Sequence, residues 1–122
     1  MPYISLFIKG IPYSKAKTRG DTEAPQRWSQ TVKQQTEHLP KIKEACLMKV
    51  TFLLPADKFP TDFPYGPDLD NPLKRFLDAL NETIFSEAQG KDSCVISMNV
   101  TKTKVMKQEE ARAYLEILPV SV

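Results

Sequence analysis

Residues 67–81 read PDLDNPLKRFLDALN. Asp68 and Asp70 stand two apart, and Lys74 follows four residues after the second acid. In a chain extended up to a helix cap, residues i and i+2 point to the same side. Both carboxylates then converge on one small volume. Two like charges held together cost free energy unless something neutralises them. A divalent cation does this, since Mg2+ takes oxygen ligands, usually one or two carboxylates with water and phosphate oxygens. Such an ion can activate water and stabilise the charge of a phosphoryl displacement. The acids also have a plainer use: a helix N-terminus favours nearby carboxylates by ~0.3–1 kcal/mol each. A third carboxylate tips the balance towards a metal. Asp92 is the candidate, at a turn just before a strand, and Glu87 is its rival. Asp78 lies two turns into the helix, where it can pair with Lys74. If Asn71 caps the helix, Lys74 sits in its first turn, where the dipole disfavours a cation. That placement points to contact with a phosphate, and the Lys74–Asp78 pair is the alternative.

These residues need elements to hold them. Residues 3–9, YISLFIK, are apolar and rich in β-formers, and Gly10 with Pro12 ends the run. After a Pro/Gly/Ser/Lys loop, Pro25 suits a first helical position. Residues 25–39 predict a helix with Trp28, Val32 and Leu39 turned inward. In residues 46–54, Cys46, Met48, Val50, Phe52 and Leu54 share one face of a strand, and the other face is expected to be partly covered. Residues 55–67 hold four prolines and a glycine, so they form a loop. Asn71 and Pro72 then open a helix whose Leu73, Phe76, Leu77 and Leu80 make one apolar stripe. Residues 85–92 are a turn region. Residues 93–104 alternate, with Cys94, Ile96, Met98 and Val100 on one side, and 112–118 alternate again through Ala113, Leu115 and Ile117. The last two strands are expected to form an antiparallel pair. The order β-α-β-α-β-β over residues 1–122 predicts a single α/β domain of the α+β type, a mixed sheet with its helices mainly on one face.

The totals set the class. At 122 residues the chain can bury a core without metals or disulfides holding it. No apolar run approaches the ~18 residues of a membrane span, and the N-terminus lacks the marks of a signal peptide, so a cytoplasmic protein with no membrane partner is expected. Cys46 and Cys94 read as free thiols packed as small hydrophobes. With one histidine and two distant cysteines, no zinc site is expected, nor any small-molecule cofactor. Lys15, Lys17 and Arg19, with Lys9, form one basic cluster, and Lys102, Lys104 and Lys107 form another. Basic patches around an acidic motif suit a polyanion such as DNA, although each also suits a solvated surface.

The motif PDLDNPLKRFLDALN followed by KDSCV resembles the signature of RusA-type Holliday junction resolvases, small endodeoxyribonucleases of bacteriophages and prophages. That pattern is Asp-x-Asp-Asn, a lysine four residues after the second Asp, then Asp-Ala-Leu, and later an acidic pair before a strand. Asp68, Asp70, Asn71, Lys74 and Asp78-Ala79-Leu80 meet it. GIPYSKAKTR resembles the family's Pro-x-x-Lys-x-x-x-Arg loop. The resemblance implies that Asp68, Asp70 and Asp92 are metal-binding catalytic carboxylates and that Lys74 is an essential basic residue at the site. It implies Mg2+ or Mn2+, a homodimer, and paired nicks across branched DNA in recombination and repair within a bacterial host. Lys15, Lys17 and Arg19 would bind the DNA backbone. Here Lys91 replaces the first member of the acidic pair, Cys94 replaces the usual Gln, and SEAQG lengthens the turn before Asp92.

Two other classes compete. A non-catalytic nucleic-acid-binding module would use the acids only to cap a helix. A phosphatase of the Asp-x-Asp type would place its first acid directly after a buried parallel strand, whereas Asp68 follows the Pro-rich FPTDFPYGP.

Overall fold

The computed structural model describes residues 3–12, 22–59 and 68–120. Four strands and two helices follow in the predicted order: β1 (Ile4–Lys9), α1 (Ala24–Thr36), β2 (Cys46–Pro55), α2 (Asp70–Asn81), β3 (Val95–Val105) and β4 (Arg112–Pro119). Short 3-10 turns at Ala56–Lys58, Lys91–Cys94 and Gln108–Glu110 punctuate the connections.

The strands form one mixed sheet in the order β1-β4-β2-β3. β4 runs antiparallel to both β1 and β2, and β3 runs parallel to β2. The expected hairpin of the last two strands is therefore not formed. β2 lies between them. Burial explains the exchange. Ala113, Leu115 and Ile117 are fully buried, so β4 belongs in the middle of the sheet. β3 has no buried residue and takes the edge. Its helix-side positions turn from Met98 and Val100 to Lys102 and Lys104 partway along. Lysines of this kind keep an edge strand from recruiting a further strand.

Both helices lie on one face of the sheet. Cys46, Met48, Val50, Phe52 and Leu54 all point into the core there, as their alternation predicts. α1 buries Ala24, Trp28, Val32 and Thr36, one residue per turn. α2 buries Pro72, Phe76, Ala79 and Leu80, while Leu73 and Leu77 are only half-buried. Its inward stripe is thus centred slightly to one side of the predicted one. Ile84, Phe85 and Ala88 extend the core beyond the helix. The buried hydroxyls of Thr36 and Thr83 bond each other at 2.8 Å and each donates to a helical carbonyl, so neither is left unpaired.

Cys46 and Cys94 are free thiols, side by side where β2 and β3 begin. Burial, with Cys94 beside it, pushes the Cys46 thiol up to about 12. No helix among the described residues is long and apolar enough to cross a membrane.

The topology makes two chemically similar truncations unequal. Leu115→Ala, in the middle of the sheet, is expected to cost about 2–5 kcal/mol. Ile96→Ala, 58% exposed on the edge strand, is expected to stay within about 0.5 kcal/mol of the parent. Urea denaturation of the two variants measures the difference, and equal losses would contradict the strand order.

Candidate active site

The start of α2 is seated by aromatic packing. Trp28 of α1 stacks on Phe76 at 6.1 Å between ring centroids and meets Phe52 of β2 edge-on at 6.4 Å. Phe52 and Phe76 meet edge-on at 5.6 Å. The buried Trp28 indole N–H donates to the Pro72 carbonyl at 3.1 Å. That bond ties α1 to the first turn of α2, directly beside the acidic motif.

The helix begins earlier than an Asn71 cap predicts. Asp70 is its first residue, and Leu69 takes the cap position with helical φ −64° and ψ −29°. The Asp68 carbonyl accepts from the Asn71 N–H at 3.4 Å, and the Leu69 carbonyl from Leu73 at 3.2 Å. Asp68 and Asp70 therefore flank a helical turn and do not stand on one side of an extended chain. Both are exposed. Neither carboxylate has a hydrogen-bond or ion-pair partner among the described residues. Unengaged oxygens beside a helix start fit a hard divalent cation, which takes one or two carboxylates and keeps several waters.

Lys74 is exposed one turn beyond Asp70, on the same side of the helix. The pair expected with Asp78 does not form among the described residues. The Lys74 ammonium is left available to an anion.

Asp92 is held elsewhere. The Asn81 side-chain amide donates to Asp92 Oδ2 at 3.0 Å, and the Asp92 backbone N–H donates to Asn81 Oδ1 at 2.9 Å. This two-point clasp fixes Asp92 at the C-terminal end of α2. The 12-residue helix puts that end roughly 16 Å from Asp70 at 1.5 Å rise per residue. Glu87, the rival third acid, pairs with Lys43 at 3.2 Å on the surface. Among the described residues no group of three or more His, Cys, Asp or Glu is placed to hold one ion.

The backbone before Asp92 is unusual. Gly90 is left-handed at φ 75°, and a Cβ there would run into the Ser93 hydroxyl. Lys91 follows at φ 53°, a conformation that side chains other than Asn, Asp and Gly rarely adopt. Asn81 itself stands at the end of the motif, and the motif's spacing gives it no role. The signal that could have found it is an amide in the last helical turn, followed by a Gly-containing turn and an acid.

The basic residues divide. Lys15, Lys17 and Arg19 lie outside the described residues. On β3, Lys104 sits 5.4 Å above the Phe59 ring, and Lys107 caps the Gln108–Glu110 turn through its backbone N–H to Glu110.

The family model for endodeoxyribonuclease RusA matches residues 12–118, nearly the whole chain. The chain belongs to the RusA endodeoxyribonuclease family. It is thus an endodeoxyribonuclease of the Holliday-junction-resolving kind, and the matched span includes Asp68, Asp70, Lys74, Asn81 and Asp92. No curated protein matches the chain.

The clasp has a measurable worth. Asn81→Ala strands a backbone N–H and a carboxylate in a half-buried place, so it should lower stability by about 1–2 kcal/mol. Hydrogen exchange at the Asp92 amide should quicken at least tenfold, and unchanged exchange would show that the clasp does not hold in solution.

Proposed function

We propose that the chain is a divalent-metal-dependent nuclease that resolves four-way DNA junctions by paired symmetric nicks, working as a homodimer in a bacterial cytoplasm. The observation that carries this reading is the pair of exposed carboxylates at the start of α2, with Lys74 one turn on, none of them engaged by another described residue. Protein surfaces commonly pair such charges. Here all three stay available at a helix N-terminus, which favours phosphate through its free N–H groups.

Asp68 and Asp70 would hold the ion, Mg2+ or Mn2+. When bound, such an ion supplies Lewis acidity and a water of lowered pKa. Lys74 offsets the charge that grows on the phosphate during displacement, where an aimed cation acts most strongly. The N–H groups of the first turn of α2 orient the same phosphate. Lys15, Lys17 and Arg19 grip the DNA backbone and give an affinity that falls with salt. Junction shape, and not base contacts, selects the substrate. Asp92 is the third acid of the proposal. Within one chain the length of α2 keeps it from the ion that Asp68 and Asp70 would hold. Its contribution is therefore separable from theirs by mutation.

Asp70→Asn should abolish Mg2+-dependent nicking of a labelled four-way junction, by at least a hundredfold, and leave folding and junction binding intact. Asp92→Asn, measured in the same assay, distinguishes a chemical part from a structural one. A chemical part lowers nicking at unchanged thermal stability, and a structural part lowers stability with nicking retained. Normal cleavage by the Asp70 variant would overturn the metal site, and binding without any cleavage by the parent chain would overturn the nuclease.

The basic loop has its own test. Lys15→Ala combined with Lys17→Ala should weaken junction binding and flatten its salt dependence, the slope falling by about 0.9 for each phosphate no longer neutralised. An unchanged affinity in a gel-shift titration at low salt would remove the loop from the DNA interface.

A further inference from the structure

The sheet face opposite the helices is left open by every described element. Its side chains form a grid fixed by strand register. The central row reads Ser5, Glu116, Lys49 and Asn99 across β1, β4, β2 and β3. On one side of it lie Tyr3, Leu118 and Leu47, which are 56%, 48% and 37% exposed. They border a shallow groove of about 340 Å3 that also reaches Lys49 and Glu116. On the other side Phe7, 51% exposed, packs its ring on Tyr114 at 4.5 Å. Large apolar side chains gathered on one uncovered face mark an interaction surface.

The centre of the grid carries an acid and a base on adjacent strands, about 4.8 Å apart in the pairing direction. Lys49 nevertheless makes no ion pair with any described residue, and Glu116 accepts a hydrogen bond from the Tyr3 hydroxyl at 2.8 Å. Such a face is complementary to itself. A two-fold rotation that lays one copy on another carries each base over to an acid, and an isologous contact needs this reciprocity. Sheets packed face to face lie about 10 Å apart, a gap that interdigitating lysine and glutamate side chains can span.

We propose that a second copy of this chain docks on this face, sheet against sheet, with Lys49 of each subunit meeting Glu116 of the partner subunit. The proposal rests on the homodimer of the proposed function and supplies its surface. Aromatic and aliphatic side chains around a small polar centre are what a subunit interface buries. DNA fits the face less well. Phosphate binding needs available cations, yet the Arg112 guanidinium already donates to the Glu110 carbonyl at 3.1 Å and lies over the Phe7 ring. Glu116 would face the phosphates from the centre of the grid.

The test is the mass of the full chain in solution, by analytical ultracentrifugation across micromolar concentrations. The parent should sediment as a dimer of the 13.9 kDa chain. Lys49→Glu and Glu116→Lys, each alone, put like charges opposite one another and should raise the dimer dissociation constant at least tenfold with the helical circular dichroism retained. The double variant Lys49→Glu/Glu116→Lys should restore the parent's dimerisation. A monomeric parent, or a dimer indifferent to both single reversals, would overturn the proposal. So would loss of junction binding by Lys49→Glu with its mass unchanged, which would make the face a DNA surface. Mg2+-dependent nicking by the same samples keeps the two ideas apart. A monomeric parent that still nicks refutes the face and spares the nuclease, and a charge-dependent dimer that never nicks does the reverse.

Discussion

The seating of α2 against Trp28 is the contact on which the rest of the molecule depends. Three aromatic rings from three elements meet there, and a single indole N–H reaches the first turn of the helix. The bond is buried, so the free energy of leaving either group unpaired guards it. α2 carries Asp70 at its start, Lys74 one turn on and Asn81 at its end. One packing arrangement thus sets the direction of three chemically distinct groups. Turning the helix by a single residue, about 100°, would trade buried Phe76 for Arg75 or Leu77 and swing Lys74 off its present side. No such rotation keeps the core filled.

Much of this is legible from local pattern. Period-two alternation locates β2 and β4 and names their buried faces, and period 3.6 locates α2. Alternation tells which face of a strand is buried but not which strand lies beside it. The position of β4 between β1 and β2 is therefore hidden in the pattern, although a subtler sign exists. The helix-side row of β3 passes from Met98 and Val100 to lysine, while that of β4 stays apolar throughout. A strand that turns charged on its core side belongs at an edge. Asp68, Asp70 and Lys74 are readable because their relation is local to one helix start. Their mutual direction is not, because it hangs on whether Leu69 is helical or extended, and that choice is a matter of one residue's dihedrals. The spacing of Lys74 and Asp78 allows an ion pair without compelling it, as expected for an exposed contact whose gain barely exceeds its entropy cost.

The two ends of α2 treat their acids in opposite ways. At the start, Asp68 and Asp70 stand exposed to solvent. At the end, Asp92 is built in: its backbone and one carboxylate oxygen are both held by Asn81. The chain accepts a left-handed Lys91 to reach that position, a conformation that costs about 1–2 kcal/mol in a residue with a Cβ. Ser93 helps to hold the turn, its hydroxyl donating to the Gly90 carbonyl at 2.7 Å. Backbone strain of this size persists only where the surroundings over-determine it. The turn before Asp92 is thus a constructed feature, and the longer SEAQG connection does not loosen it, since Ala88 within it is buried and Lys91 N–H bonds the Ala88 carbonyl at 3.0 Å.

Helices on one face and exposed aromatics on the other divide the molecule into a chemical side and an associating side. If two copies meet through their sheets, about 10 Å apart, and each carries a helix layer about 10 Å thick outside its sheet, the two layers of α2 helices are held roughly 30 Å from one another. That separation is rigid, because it passes through packed sheet and not through a linker. A four-way junction presents its opposed strands at sites related by two-fold symmetry, and a symmetric enzyme must match both at once. The depth of the protein layers would then act as the ruler between the two nicks. Shape selection would follow from that fixed spacing, with no need for any side chain to read a base.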